Sequence, residues 1–366
     1  MAERAARLAL DVPQVSALGR FEQLPKWLNL IPTVIHWLAL GVRYRSFSLP
    51  SALNGAITSG GMVGDGKLEY FAAMGPSARA VTAKYVGIPV RRDTSVQEML
   101  AAMQRQALAF PIIAKPDLGW CGLGVRRVGN AEELAAYLAA FPAGSSLVLQ
   151  EYIDQPGEAG LFYMREPGQT RGKLTALLLR HVPAVTGDGR SSLGELVARD
   201  RRLRRTVNQR HHECRFDPSH VPAQGERVVL STVASTRVGG RYEDGSELIT
   251  PVLAEHVDRI ARDMCMTDAD GFCFGRFDVR FTHMEALRQG QFTIIEVNGT
   301  GADVVHAWDP RYSLTEAYRM LFDKQRELFR LADIARQRGR QPMGIFRLGW
   351  LYRQQLKLMA LYPPSN

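Results

Sequence analysis

The chain has 366 residues, 46% of them hydrophobic and 23% charged, the balance of a folded globular protein, which excludes a mainly disordered or collagen-like chain. At roughly 150 residues per domain the length allows two or three domains. Forty-six basic residues against 37 acidic ones give a formal charge of +9, which favours anionic partners and leaves nucleotide, nucleic acid and acidic membrane all open.

Residues 1–20 read as a loose leader, and their start leads into no apolar core with a small-residue cleavage site, so no secretory signal is expected. From Leu24 to Arg45 the chain is dense in Trp, Leu and Ile, with Trp27 and Trp37 among them, interrupted by Pro32 and His36 and closed by Arg43, Tyr44 and Arg45. Two readings stand: helices packed on the body, or an interfacial amphipathic segment with aromatic rings at headgroup depth and arginines on phosphates. No apolar run reaches the ~18 to 20 residues of a confident membrane span. Residues 50–75 carry Gly55, Gly60, Gly61, Gly64, Gly66 and Gly75 and read as loop.

Ser95-Val-Gln-Glu98 and Asn130-Ala-Glu-Glu133 read as capping boxes, predicting helices over about 95–108 and 130–140. Between and beyond them, Phe110–Lys115 and Ser146–Glu151 read as buried strands, an α/β alternation. Further strands are expected at 173–182, 227–236, 275–282 and 291–297, with helices over 251–265 and 313–335. Seven arginines and two acids fill Arg199–Arg215, either a solvated face or a closure over phosphates. The tail from Ile334 to Asn366 holds six basic residues and no acid, and its segment 343–362 reads either as docked on the core or as a basic membrane-surface helix. Cys121, Cys214, Cys265 and Cys273 form no Cys-x-x-Cys pair, which disfavours a disulfide framework or zinc site and suits a reducing cytoplasm.

Three groups of residues point to chemistry. In Lys115-Pro-Asp-Leu-Gly119-Trp-Cys-Gly122-Leu-Gly124 a lysine ends a buried strand and three glycines follow. The ammonium is a point charge for phosphate oxygens, and the glycines let backbone N–H groups approach without a Cβ in the way. The lysine precedes the glycines, so this is not the Walker pattern, and an ordinary turn is the competing reading. Glu151-Tyr-Ile-Asp-Gln-Pro-Gly-Glu158 spans a strand-to-strand crossover that can serve adenine and ribose, with the backbone of Tyr152 and Ile153 completing the base contacts. On two apolar strands, alternation puts Arg276, Asp278 and Arg280 on one face, and Glu296 and Asn298 likewise share a face. Two carboxylates and an amide oxygen from neighbouring strands make a hard oxygen site suited to magnesium.

These residues, in this order, resemble the ATP-grasp ligases, most closely the D-alanine–D-alanine ligase-like and cyanophycin-synthetase-like branches, over about residues 76–306. The resemblance implies an α/β fold in which two α+β lobes clamp ATP, preceded by an N-terminal pre-ATP-grasp-like substrate domain. The expected boundaries are an N-terminal segment 1–48, a substrate domain 49–106, a small lobe 107–175, a large lobe 176–333 and a basic tail 334–366. It implies Lys115, Gly119, Gly122 and Gly124 on the ATP phosphates, and Glu151, Tyr152, Ile153 and Glu158 around adenine and ribose. Arg276 and Lys115 then serve the transferred phosphate, and Asp278, Glu296 and Asn298 hold magnesium, or manganese in its place. Val185-Thr-Gly-Asp188-Gly is similar to a Gly-Asp-Gly segment of the cyanophycin-type branch.

Two departures stand out. Where many members have an early lysine this chain has Pro76 and Ser77, leaving Arg79 or Lys84 as substitutes. Gly299-Thr-Gly301-Ala-Asp303 replaces a Ser-Pro-Gly-Met type turn, which speaks against D-alanine–D-alanine ligation itself. The reaction implied is ATP-dependent amide formation through an acyl phosphate, with small-molecule carboxylate and amine as partners. Arg180, His181, Arg237 and His306 are the candidates for substrate carboxylates, and the Trp120 loop and the 199–215 segment are the candidate lids. A cytoplasmic location is expected, at the inner face of the membrane if both chain ends bind it. No nucleic-acid partner is expected; contact with anionic membrane and a homodimer stay open. The rival readings are a carboxylate–thiol ligase or kinase-like relative, and a membrane-associated nucleotide-binding scaffold.

Overall fold

The computed structural model describes residues 18–208, 211–265, 268 and 270–366; all but the end of the expected leader lies outside them. Two antiparallel sheets organise the chain. The first comprises β1 (Tyr85–Val90), β2 (Ile112–Pro116), β3 (Arg126–Val128) and β4 (Ser145–Glu151), in the order β1-β4-β2-β3. Helices Val96–Arg105 and Ala131–Ala140 cover it, burying Met99, Leu134 and Tyr137 against Ile112 and Leu149. Both helices start where the caps predict: Ser95 accepts from the Glu98 N–H and Asn130 from the Glu133 N–H, contacts that stabilise by about 1 kcal/mol each.

The larger sheet comprises β5 (Gly157–Met164), β6 (Lys173–His181), β9 (Arg241–Asp244), β10 (Phe274–Phe281) and β11 (Thr293–Asn298), in the order β11-β10-β5-β6-β9; β7 (Ala184–Thr186) and β8 (Arg227–Val229) pair separately. Alternation divides β10: Phe277, Val279 and Phe281 enter the core with Leu253, Val257 and Ile260 of helix Pro251–Arg262, and the residues between them face the cleft.

The expected fold of two α+β lobes about a cleft is what the structure has, with boundaries moved. β1 belongs to the small sheet, so that lobe begins by residue 85 and not at 107; β5 belongs to the large sheet, so the large lobe begins at Gly157 and not at 176. Residues 49–80, assigned above to a substrate domain, form two 3₁₀ turns and two short helices, and their Ile57, Tyr70, Phe71, Met74 and Ala78 join the large-lobe core. The strand expected over 227–236 ends at Val229. Beyond it Ser231 accepts from the Val233 N–H and Ser235 from the Arg237 N–H, side-chain bonds that compete with a ladder.

Both hydrophobic ends are helices with one face docked. Helix Lys26–Arg43 lies along Leu314–Gln337: the His36 ring stacks on Phe322 at 4.5 Å and Trp37 meets Phe329 edge-on at 4.9 Å. Helix Ile345–Met359 buries Leu348 and Gln355, and the Gln355 Oε1 accepts from the Gly64 N–H at 2.9 Å. Among the described residues no helix is long and apolar enough to cross a membrane.

Candidate active site

The cleft face of the large sheet carries a polar strip. In the β10–β11 register Asp278 stands opposite Glu296 and Arg276 opposite Asn298; across β5, Asp278 stands opposite Gly160 and Arg280 opposite Glu158. Asp278 is 1% exposed. Its carboxylate accepts from Arg276 Nε at 2.5 Å and Nη2 at 2.9 Å, from Arg180 Nη1 at 3.0 Å and from Asn298 Nδ2 at 3.3 Å. Burial alone would raise its pKa, but Arg276 and Arg180 outweigh burial and hold it below the usual carboxylate range. Gly160 makes the pairing sterically feasible: a Cβ there would lie 2.8 Å from Arg276 Cδ.

Lys115, at the end of β2, reaches across the cleft. Its Nζ donates to Gln150 Oε1 at 2.7 Å and to the Ile295 carbonyl at 2.9 Å. Ile295 is the extra residue of a β-bulge, since the register runs Asp278 to Glu296 and then Val279 to Ile294; the irregularity leaves its carbonyl outside the ladder. Burial, with Lys67 adding to it, lowers the Lys115 pKa to about 8 against the pull of Glu296 and Asp278.

Between these two groups opens a cavity of about 330 Å³, lined by Lys115, Glu151, Glu158, Arg180, Arg280 and Glu296 among others. It brings together Lys115, Gly122, Glu151, Tyr152, Ile153, Glu158 and Glu296 of the expected set, and also Arg180. Gly122 has φ +70, and a Cβ there would strike Val233 on the opposite wall at 2.4 Å. Gly119 and Gly124 stand back from the cavity, accepting through their carbonyls from Lys67 Nζ and Tyr137 OH. Glu151 accepts from the Lys84 N–H at 3.2 Å. Glu158, expected at a ribose, is held by Arg180 and Arg280, each at 3.0 Å. The Gln150 Nε2 is buried with no hydrogen-bond partner among the described residues, a donor left for a polar ligand.

Three expected substrate residues go elsewhere. Arg237 donates to the Cys121 carbonyl at 3.3 Å and to Ser365 Oγ at 2.8 Å, clamping the glycine loop to the C-terminal segment. His181 pairs with Glu243 at 3.1 Å, and His306 lines a different cavity. The arginine run divides: Arg202 and Arg205 engage the buried Glu22, the latter at 3.3 Å, while Glu213 pairs with Arg126 and Arg215 with Glu133 of the small lobe. Residues 209 and 210 of that run lie outside the described residues.

Sequence reasoning missed Lys67. It donates to the Asp117 carbonyl at 3.2 Å and faces Glu296 at 3.4 Å, whereas the proposed substitutes Arg79 and Lys84 are exposed. Its signal is compositional: the chain has seven lysines, and Lys67, Lys115 and Lys324 all border the cleft-side face of the large sheet. Five cations, Lys67, Lys115, Arg180, Arg276 and Arg280, thus surround three carboxylates, Glu158, Asp278 and Glu296, an excess of two positive charges suited to a polyanion.

No family model matches the chain. Over 79 residues, 21% of this chain and 14% of the relative, it is 33% identical to the ATP-grasp enzyme fsqD of Aspergillus fumigatus, so the match spans a small part of that protein's length. Among solved structures it is similar to a D-alanine–D-alanine ligase from Bacillus anthracis, at 14% identity and a TM-score of 0.42, over 77% of this chain and 72% of that one. It is also similar to a bifunctional glutathione synthetase from Pasteurella multocida, at 18% identity and a TM-score of 0.33, over 70% of this chain and 36% of that one. These likenesses are distant and partial. The chain is similar to ATP-grasp enzymes, as the order of its motifs implies.

Proposed function

We propose that this chain is an ATP-dependent ligase that joins a carboxylate to an amine through an acyl phosphate. The observation that carries the reading is the polar strip, where Lys115, Arg180 and Arg280 line a cavity reached by the strand-to-strand linker 151–158 and Lys67 stands against its Glu296. In the first step a carboxylate oxygen attacks the γ-phosphorus of ATP, the bond to the β,γ-bridging oxygen breaks, and ADP leaves with its electron pair. In the second an amine nitrogen attacks the acyl carbon, the carbon–oxygen bond to phosphate breaks, phosphate departs with that pair, and the nitrogen's proton passes to solvent.

The first step needs anions held in line and their charge neutralised. Lys115, Arg180 and Arg276 are placed to do both, and Asp278 fixes the two arginines. The glycine loop, which meets the cavity at Gly122 and whose Trp120 lies 5.8 Å from Tyr352, would keep water from the acyl phosphate. Asp278, Glu296 and Asn298 are hard oxygen donors on adjoining positions of two paired strands, but Asp278 is held by Arg276 and Arg180 and Glu296 faces Lys67, so the set fits magnesium or manganese only once those cations turn to the triphosphate. These three would hold the ion, which when bound supplies further charge neutralisation. Lys115→Ala is expected to cut ADP release at least a hundredfold while leaving the thermal unfolding midpoint within a few degrees. Wild-type turnover in that variant would end the assignment. A scaffold with a decayed pocket gives no reason for the whole set to persist, and ATP turnover separates the two readings.

We also propose that the two terminal helices rest on an anionic membrane surface. Trp27, Ile31, Val34, Leu38 and Val42 share the outer face of helix Lys26–Arg43, and Trp27 is 66% exposed. On helix Ile345–Met359, Phe346 and Trp350, 93% and 58% exposed, share a face with the exposed Arg353 and Lys357. The segment after the first helix meets the one before the second, the Met343 N–H donating to Ser51 Oγ at 2.7 Å. Apolar and aromatic faces edged with cations match a surface of anionic lipid. Co-sedimentation with phosphatidylserine-containing vesicles at low salt, lost in a Phe346→Glu/Trp350→Glu variant, is the expected result. A dimer in solution that the same substitutions dissociate would show a second copy covering these helices instead.

A further inference from the structure

On the face that carries the polar strip, past Arg276 from the nucleotide cavity, lies a second cavity of about 270 Å³. Phe162, Met164 and Ala176 of β5 and β6 form one wall, and Val304 and Met320 face them. Its link to the strip is the Phe162 ring, over which the Arg276 guanidinium sits at 5.6 Å and against which His306 lies edge-on at 5.5 Å.

Two polar groups enter this apolar space without adequate partners. Lys324 Nζ donates to the Thr300 carbonyl at a long 3.4 Å and otherwise rides over the Phe274 ring at 5.8 Å. Phe274 precedes Arg276 by two residues on β10, so the ammonium and the guanidinium serve the same sheet face. His306 Nδ1 is buried with no hydrogen-bond partner among the described residues. Of the acids that line the cavity, Asp323 is engaged by Arg326 and Glu327 by Arg330 at 2.6 Å, while the exposed Asp303 acts on Lys324 without a hydrogen bond to it among the described residues. Burial lowers the Lys324 pKa against the pull of Asp303, and the Arg276 guanidinium lowers it further.

We propose that this cavity binds the acyl substrate, a small carboxylic acid with an apolar body. Its carboxylate is steered by Lys324 toward Arg276, and its hydrocarbon part packs on Met164, Ala176, Val304 and Met320. The proposal rests on the ligase reading and names the substrate class for it. A carboxylate supplies the charge-assisted bonds the ammonium lacks, and an apolar body fills the walls without stranding a polar group. A diacid would set its second charge against methionine and valine. The two cavities then deliver carboxylate and triphosphate from opposite sides of Arg276, the approach an in-line displacement needs. Lys324 is a positioning residue in this scheme.

The test uses the full chain with hexanoate, phenylacetate, glutamate and succinate in two assays. One is direct binding by isothermal titration calorimetry; the other is hydroxamate formation with ATP, magnesium and hydroxylamine, which traps acyl phosphate. Hexanoate or phenylacetate should bind and give hydroxamate with kcat/KM at least tenfold above the diacids. Lys324→Met should raise the carboxylate KM tenfold or more while the ATP KM stays within twofold, and Lys324→Arg should recover part of the loss. Ala176→Phe should exclude phenylacetate by filling the cavity. Apolar binding that depends on Lys324 without hydroxamate would keep the site and overturn the ligase. Turnover of diacids alone, or a carboxylate KM indifferent to Lys324 and Ala176, would keep the ligase and overturn the site. Failure of every acid in both assays would overturn the site together with the ligase.

Discussion

The two cavities that flank Arg276 solve the problem of buried charge in opposite ways. On the nucleotide side every cation of the strip has a partner: Arg180 and Arg280 hold Glu158, Arg180 and Arg276 hold Asp278, and Lys115 holds Gln150 and Ile295. On the other side, among the described residues, Lys324 has one long bond and His306 keeps an unpaired nitrogen. The first arrangement is a rigid charged frame that exists before any ligand arrives, which is how electrostatic preorganisation avoids reorganisation during reaction. The second is incomplete until something fills it. Paired charge marks the frame, and unpaired charge marks where specificity is set.

The comparison breaks most sharply at Arg276, the residue common to both sides. Arg276→Ala removes the principal partner of a buried carboxylate, a change that costs about 3–5 kcal/mol, and takes away the charge proposed to face the transferred phosphate. ADP release should fall at least a thousandfold and the unfolding midpoint should drop, both measurable on one preparation. A stable, active variant would mean that Arg276 is not the hinge between the cavities. Gly160→Ala probes the frame more gently. Its methyl displaces the Arg276 stem without removing charge, so turnover should fall about tenfold with a stability cost of about 1–3 kcal/mol; unchanged kinetics would show that the frame tolerates movement.

The smallest effect is a pH limb. With its pKa lowered to about 8, Lys115 is protonated below that pH and loses its charge above it. In the free enzyme kcat/KM for ATP should therefore decline as pH rises through about 8, by about tenfold per unit where this group alone governs. Bound triphosphate favours the ammonium, so the corresponding limb in kcat should lie higher. Lys115→Arg should remove the limb; its persistence there would assign the titration to another group.

Much of this frame was legible before any coordinates. Strand alternation alone places Arg276, Asp278 and Arg280 on one face, and both helix caps follow from Ser95 and Asn130. What escaped did so for physical reasons. Tyr85-Val-Gly-Ile-Pro-Val90 contains Gly87 and Pro89 and does not read as a strand, yet it is an edge strand, where a missing N–H is tolerated. Gly157 and Gly160 disguise β5 in the same way, although the second is there because Arg276 crosses it. Lys67 follows a glycine turn far from Lys115, and no periodicity relates the two; only tertiary packing brings them to Glu296. The partners of Glu158, and hence its unsuitability as a free ribose acceptor, also depend on how β5, β6 and β10 align.

The extra residue in β11 has a mechanical consequence. Lys115 belongs to one lobe and Ile295 to the other, so this ammonium-to-carbonyl bond is one of several ties between the two jaws, beside those of Arg237 to the Cys121 carbonyl and of Ala83 to Ile294. An incoming anion that claims the ammonium competes for that tie. Capture of an anion there would release one tie between the jaws and leave the others standing, and a molecule occupying the gap without drawing on Lys115 would release none.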